Sequence, residues 1–148
     1  MKATYRIATF SNVNRLFELR RQSITAPAPK RLSTADAEAW AATLTVTGME
    51  QKIRELEIWV AEMSGTIVGW GAIRGEQLQG LYTDPGFAGS GIGTELLGML
   101  EALMRGRAIP TVKAEASSNA EEFYRRRGYE PFGLPTPEGA QPIRKRLS

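Results

Sequence analysis

Apolar residues along this chain fall into short alternating runs and stripes at helical spacing. Thr4 to Thr9 alternates, with Tyr5, Ile7 and Thr9 opposite Arg6 and Ala8, and predicts a strand. Ser11-Asn12 offers an N-cap, and Val13, Leu16, Phe17 and Ile24 form a helical stripe broken by Arg20. The prolines of Ala26-Pro27-Ala28-Pro29 end that helix. Ser33-Thr34-Ala35-Asp36 reads as a capping box with Asp in place of the usual Glu. A second helix follows on Ala37, Trp40, Ala41 and Leu44, with Gly48 as its stop.

Glu57–Met63 and Thr66–Arg74 read as strands around Ser64-Gly65, a two-residue hairpin signal. Leu78–Thr83 is a third strand, so the three predict an antiparallel meander. Thr111–Ala116 is the next strand. Ser118 and Glu121 then form a capping box for a helix carrying Ala120, Phe123, Tyr124 and Arg127 on one face and stopping at Gly128. Tyr129–Phe132 and Ile143–Leu147 are short strands flanking a Pro/Gly-rich loop. With the helix after residue 90, the order is βααβββαβαββ. It predicts a mixed α/β (α+β) fold in one domain, residues 1–148, whose mostly antiparallel sheet needs at least one parallel pairing at the strand–helix–strand crossover.

The stretch from Gly86 to Met104 carries the first chemical signal. Gly86, Gly89, Gly91 and Gly93 lead into a helix with Ile92, Leu96, Leu97, Leu100, Leu103 and Met104 on one stripe. The helix start presents free N–H groups and the positive end of the macrodipole, which together bind phosphate without a side-chain charge. The strand before it stops at Asp84-Pro85-Gly86, a turn signal. The unit is a phosphate cradle. It is not a P-loop, because Gly91 is followed by Ile92-Gly93 rather than Lys-Ser/Thr. Nor does it complete a dinucleotide fingerprint, since a GxGxxG starting at Gly89 would need glycine where Thr94 stands.

Composition narrows the chemistry. The 148 residues contain no cysteine and no histidine. That excludes a thiolate nucleophile, a Ser-His or Cys-His pair and the commonest metal ligands, leaving carboxylates, Tyr, Lys and backbone groups. The net charge of +3 suits an anionic small ligand and disfavours a nucleic-acid partner, which needs a basic stripe on a recognisable fold. No apolar run approaches membrane-helix length, and the N-terminus lacks a signal peptide's apolar core, so a cytoplasmic protein without a membrane partner is expected.

Leu81-Tyr82-Thr83-Asp84-Pro85 followed by Ala88-Gly89-Ser90-Gly91-Ile92-Gly93 resembles the strand and pyrophosphate loop of the GCN5-related N-acetyltransferases. That family writes its loop Q/R-x-x-G-x-G/A, so Ala88 stands where a side-chain donor is usual. Asn119-x4-Tyr124-x3-Gly128-Tyr129 resembles the family's later motif, in the right order and at the right separation. The resemblance implies an acetyl-CoA-dependent acyltransferase needing no metal. Its fourth and fifth strands, here Leu78–Thr83 and Thr111–Ala116, would splay apart to admit the pantetheine arm.

The cofactor-binding positions it implies are Leu81, Tyr82, Thr83, Ala88, Gly89, Ser90, Gly91, Ile92, Gly93, Thr94 and Asn119. An amide at Tyr82 or Thr83 would meet the oxyanion, and Tyr124 would assist the leaving thiolate. Asn119 serves equally well as part of a helix cap, and Tyr124 as a core residue. Arg125-Arg126-Arg127 reads as a solvated face that could reach the 3′-phosphate of coenzyme A. The base is open. Gln79 occupies the position where many relatives carry an acid, Glu115 resembles the base of some relatives and equally reads as an exposed strand charge, and Glu76 is a poorer candidate.

The expected acceptor is a small-molecule or peptide amine, walled by the first two helices and the loop from Ala26 to Leu32, with Trp40, Lys30, Arg31 and Arg21 nearby. A homodimer fits this reading. Transfer of another acyl group, or a non-catalytic coenzyme A-binding module favoured by Ala88 and Gln79, are the alternatives.

Overall fold

The computed structural model describes residues 2–25 and 44–147. The Ala26-Pro29 stop, the Ser33–Asp36 box, the loop to Leu32 and the helix positions Ala37, Trp40 and Ala41 lie outside them. Seven strands form one sheet in the order β1-β2-β3-β4-β5-β7-β6. They are β1 (Thr4–Ile7), β2 (Glu57–Met63), β3 (Thr66–Arg74), β4 (Gln77–Thr83), β5 (Thr111–Ala116), β6 (Glu130–Pro131) and β7 (Gln141–Arg146). The α-helices are α1 (Val13–Thr25), α2 (Val46–Glu55), α3 (Ile92–Gly106) and α4 (Glu121–Arg125). Every neighbouring pair is antiparallel except β4–β5, the parallel pairing that the crossover through α3 requires. Among the described residues no helix is long and apolar enough to cross a membrane.

Helices cover both faces of the sheet, which is why β3 is buried without a break from Ile67 to Ile73. On one face Leu16 and Leu19 of α1 and Met49 of α2 pack on Ile58, Val60, Trp70 and Ala72. On the other, Leu97, Leu100 and Met104 of α3 pack with Ile73, Leu78, Val112, Ala114 and Ile143. Each such side chain contributes roughly 1.5–3 kcal/mol by leaving water. The β2–β3 hairpin turns on Ser64 (φ 52°) and Gly65 (φ 79°), the paired left-handed conformations that match the strands' twist. At Gly71 a Cβ would stand 2.6 Å from the Leu100 side chain, so α3 lies closer to β3 than a side chain there would allow.

Four local expectations are corrected. Gly48 does not stop a helix but lies in the first turn of α2, where the Thr45 hydroxyl accepts its N–H (3.0 Å). Leu44 precedes that helix. The chain before α1 is capped one turn early, because the Asn12 side chain accepts the Thr9 N–H (2.9 Å) and a 3₁₀ turn, Phe10–Asn12, leads into α1. α4 starts later than the Ser118 box implies: its N-cap is Ala120, the Ser117 carbonyl accepts the N–H groups of Ala120 and Glu121, and Ser118 is buried in that turn.

Candidate active site

β4 and β5 share a single paired position, Gln77 with Lys113. Beyond it they part. β4 carries a bulge there: Ile73 faces Leu78 and Ala72 faces Gly80, so Gln79 is the extra residue. A bulge bends its strand and sharpens the twist, which turns β4 away from β5. Groups of β4 that face β5 past this point have no ladder partner, and the Thr83 carbonyl instead accepts the Ser23 hydroxyl of α1 (3.2 Å). The gap is the floor of a cleft of about 650 Å³, within the range of small-molecule sites.

The cleft is lined from both faces of the sheet. Arg20 and Ser23 come from α1, while Asn119, Ala120 and Tyr124 come from the α4 region on the α3 side. Val112, Ala114 and Ala116 of β5 belong to the α3-side core, so the alternation sends Glu115 to the α1 side, exposed along the cleft. Gln79 also lines it, exposed at the bulge. Glu76 does not: its carboxylate pairs with Lys113 (3.2 Å) outside the cleft.

Tyr124 is buried, and burial first and the nearby Tyr82 phenol second push its pKa well above the usual phenol value. Its ring meets Tyr129 edge-on at 5.3 Å. Tyr129 is held differently. Its hydroxyl donates to Glu101 (2.7 Å), whose other oxygen accepts from Lys145 (3.0 Å), and burial with that carboxylate raises its pKa further still. Glu101 thus sits buried on the apolar stripe of α3, where its sequence position gives no hint of a polar residue. The Asn119 carboxamide oxygen accepts the Ser117 hydroxyl (2.6 Å), which leaves its NH₂ for the cleft. Tyr82 stacks on Trp70 at 4.6 Å and folds over Gly80, where a Cβ would lie 2.7 Å from its ring. Leu81 and Tyr82 line the cleft, and Thr83 stands at its end beside Gly93.

From Asp84 the chain makes a 3₁₀ turn, Pro85–Phe87, capped by the Asp84 carboxylate on the Gly86 N–H (2.9 Å). Arg15 of α1 grips the same carboxylate (2.7 Å). The Gly86 N–H first, then Arg15, hold the Asp84 carboxyl below its ordinary pKa. Gly89 (φ 79°) and Gly91 (φ 90°) take left-handed conformations, and a Cβ on either would meet nothing within 4 Å. Ala88, Gly89, Ser90 and Gly91 are exposed, and the Ser90 hydroxyl turns back on the Phe87 carbonyl. The first α3 bond runs from Glu95 N–H to the Gly91 carbonyl (3.0 Å), so the N–H groups of Ile92, Gly93 and Thr94 precede the helical ladder. Ile92 buries its side chain in the core and offers only its backbone.

The arginine run divides. Arg125 and Arg126 pair with Glu122 on an exposed face. Arg127 turns to the α3 N-terminus, where it donates to the Thr94 hydroxyl (3.0 Å) and the Phe123 carbonyl (2.7 Å) and stacks 3.7 Å over the Phe123 ring. A guanidinium at the positive end of a helix is electrostatically unfavourable unless an anion joins it. In the sequence Arg127 stands out as one of a run of three, and Arg20 only as a break in an apolar stripe.

Solved structures share this architecture. A GCN5-related N-acetyltransferase from Rhodopseudomonas palustris superposes with a TM-score of 0.82 at 20% identity, covering 99% of this chain and 96% of that one. The PaiA N-acetyltransferase of Thermoplasma acidophilum, solved with coenzyme A, gives 0.81 at 19% identity over 99% of both chains. A phosphinothricin acetyltransferase from Sinorhizobium meliloti, solved with acetyl-CoA, gives 0.68 at 20% identity over 100% of this chain and 90% of that one. At these identities the likeness shows the fold. No curated protein sequence matches the chain. The model of the acetyltransferase (GNAT) domain matches residues 26–139, more than half of the sequence, and on that match the chain belongs to the GNAT acetyltransferase family.

Proposed function

We propose that this chain is an N-acetyltransferase that moves the acetyl group of acetyl-CoA to a primary amine by direct attack. The observation that carries the reading is the opening between β4 and β5, with a glycine-rich helix N-terminus at its end. Left-handed glycines with open space above them, and three N–H groups ahead of the helical ladder, fit a diphosphate. Arg127 supplies the side-chain charge that Ala88 cannot. Asn119 and the backbone groups of Leu81 and Thr83 on the open edge of β4 would hold the pantetheine arm by hydrogen bonds, with Tyr82 between them lining the cleft.

In the reaction the amine nitrogen bonds to the thioester carbonyl carbon, the C–S bond breaks, and the amine gives up a proton. An alkyl amine is protonated at neutral pH, with a pKa near ~10.4, so a base must take that proton. Glu115, one of two carboxylates among the described residues that line the cleft, would take it directly or through water. A backbone N–H on the open β4 edge meets the carbonyl oxygen as it gains charge. Tyr124 hydrogen-bonds the departing sulfur. Its raised pKa lies above that of a thiol, about 8.5, so the phenol stays protonated and stabilises the thiolate as a donor.

Calorimetry with coenzyme A tests the cofactor half. Gly91→Val forces a β-branched residue into a left-handed conformation and should weaken binding roughly tenfold or more. Arg127→Met should weaken it by about tenfold, with a shallower salt dependence. Wild-type affinity in both variants, with unchanged melting temperature, would overturn the loop assignment. Coenzyme A binding without turnover of any amine would favour a non-catalytic module.

A further inference from the structure

The α1 wall of the cleft holds an arginine, Arg20, whose partners differ from those of Arg15. Arg15, one turn and a half earlier on the same helix, spends its whole guanidinium on protein: Nε on the Ile67 carbonyl (2.9 Å), one Nη on Glu18 (2.6 Å), the other on Asp84 (2.7 Å). Arg20 lines the cleft, and its buried Nε has no hydrogen-bond partner among the described residues. Its neighbourhood adds positive charge rather than compensating it. Lys52 of α2 has its amine pKa lowered by burial first and by the Arg20 charge second, with Glu55 acting in the opposite sense. Two exposed carboxylates, Glu115 and Glu138, line the same cleft. A cation and carboxylates along one cleft match a ligand that carries both charges.

We infer that the acceptor is an amino-acid-like amine whose carboxylate is received by Arg20 while its amino group is drawn to the Glu115 side. This rests on the acyl-transfer reading above. A carboxylate on the acceptor brings negative charge to this guanidinium, whose fork donates to it in a fixed orientation. The ammonium, held beside Glu115, loses its proton there before attack. An amine lacking the carboxylate brings Arg20 no such charge and binds without orientation.

The test uses pairs of acceptors that differ only by the carboxylate: leucine with isopentylamine, phenylalanine with phenethylamine, and methionine with 3-(methylthio)propylamine. The purified protein is assayed with acetyl-CoA, wild type beside Arg20→Gln and Arg20→Lys, while calorimetry follows coenzyme A binding. The expected result is a kcat/KM for the amino acids roughly 10- to 100-fold above that of their decarboxylated partners, the range of one charge-assisted hydrogen bond. Arg20→Gln should erase that advantage, lowering kcat/KM for the amino acids far more than for the plain amines, and Arg20→Lys should restore part of it. Equal use of both members, an equal loss for both in Arg20→Gln, or no turnover of any amino acid while coenzyme A still binds would each overturn the inference and leave the cofactor site standing. Failure of coenzyme A to bind at all would instead remove the acyl-transfer reading on which it rests.

Discussion

β5 meets β7 on one edge and β4 on the other, and the two edges differ completely. Against β7 all six residues pair, from Thr111 with Arg146 to Ala116 with Gln141. Against β4 only Lys113 pairs, with Gln77, and the rest of the edge faces the cleft. On the closed edge every backbone group has its ladder partner and Ile143 sits in the core beneath it. On the open edge the groups are left for a ligand. One strand therefore carries stability on one side and recognition on the other. What separates them is a single extra residue at Gln79 in the neighbouring strand.

Substitutions on the two sides should divide into losses of rate and losses of stability. The largest effect is expected at Tyr124→Phe. It keeps the ring packing and removes the hydroxyl, so kcat should fall by about 10²–10³, the loss of one preorganised donor, with KM for acetyl-CoA and melting temperature nearly unchanged. Because the Tyr124 pKa is raised, its proton stays in place as pH rises through neutrality, and the wild-type rate should show no alkaline fall from this group below its normal value near ~10. A kcat within about threefold of wild type would return Tyr124 to a packing role.

On the closed edge Ile143→Ala should do the reverse. Truncating a buried isoleucine costs about 2–5 kcal/mol, read as a lower urea midpoint, while kcat of the folded fraction stays close to wild type. A selective loss of kcat there, with stability intact, would break the division.

The smallest effect concerns Asp84, which ties α1 to the glycine loop at the mouth of the opening. Its folded pKa is depressed, so its contribution is present above the ordinary aspartate pKa and is lost as pH falls through the lower folded value. Asp84→Asn should cost about 1 kcal/mol at neutral pH and nothing once wild-type Asp84 is protonated. Urea unfolding of both proteins across the acid range measures this, and equal costs at both pH values would mean the carboxylate charge contributes nothing.

What the sequence made legible were features whose partners are close along the chain. Ser64-Gly65 specifies its hairpin within two residues, and the glycines before Ile92 mark the helix start directly. β2, β3 and β5 have the ends their alternation predicts. Features set by distant partners were not legible. Glu101 is explained only by Tyr129 and Lys145, 28 and 44 residues away, and Arg127 by Thr94, 33 residues away. Gly48 misled because a glycine near an apolar stripe signals both a helix end and room for a cap, and Thr45 decided between them. The capping-box pattern at Ser118 misplaced the helix start, because a turn closed by the Ser117 carbonyl comes before α4. The expected fourth-and-fifth-strand opening is present, whereas the functions of Tyr124, Glu115 and Asn119 are chemical and await the measurements above.

The close approach of α3 to β3 has a consequence for which sequences can carry this site. The glycine loop is the front end of α3, and the height of α3 above the sheet is set by the missing side chain at Gly71 beneath Leu100. A methyl group there, far from any ligand, must either push Leu100 aside or lift the helix, and lifting the helix carries the loop with it. Position 71 is thereby yoked to position 100: a larger residue in the strand is tolerable only with a smaller one on the helix. Drift in this part of the core is constrained to compensated pairs, because the same contact that fills the interior also fixes how far the phosphate cradle stands from the split in the sheet.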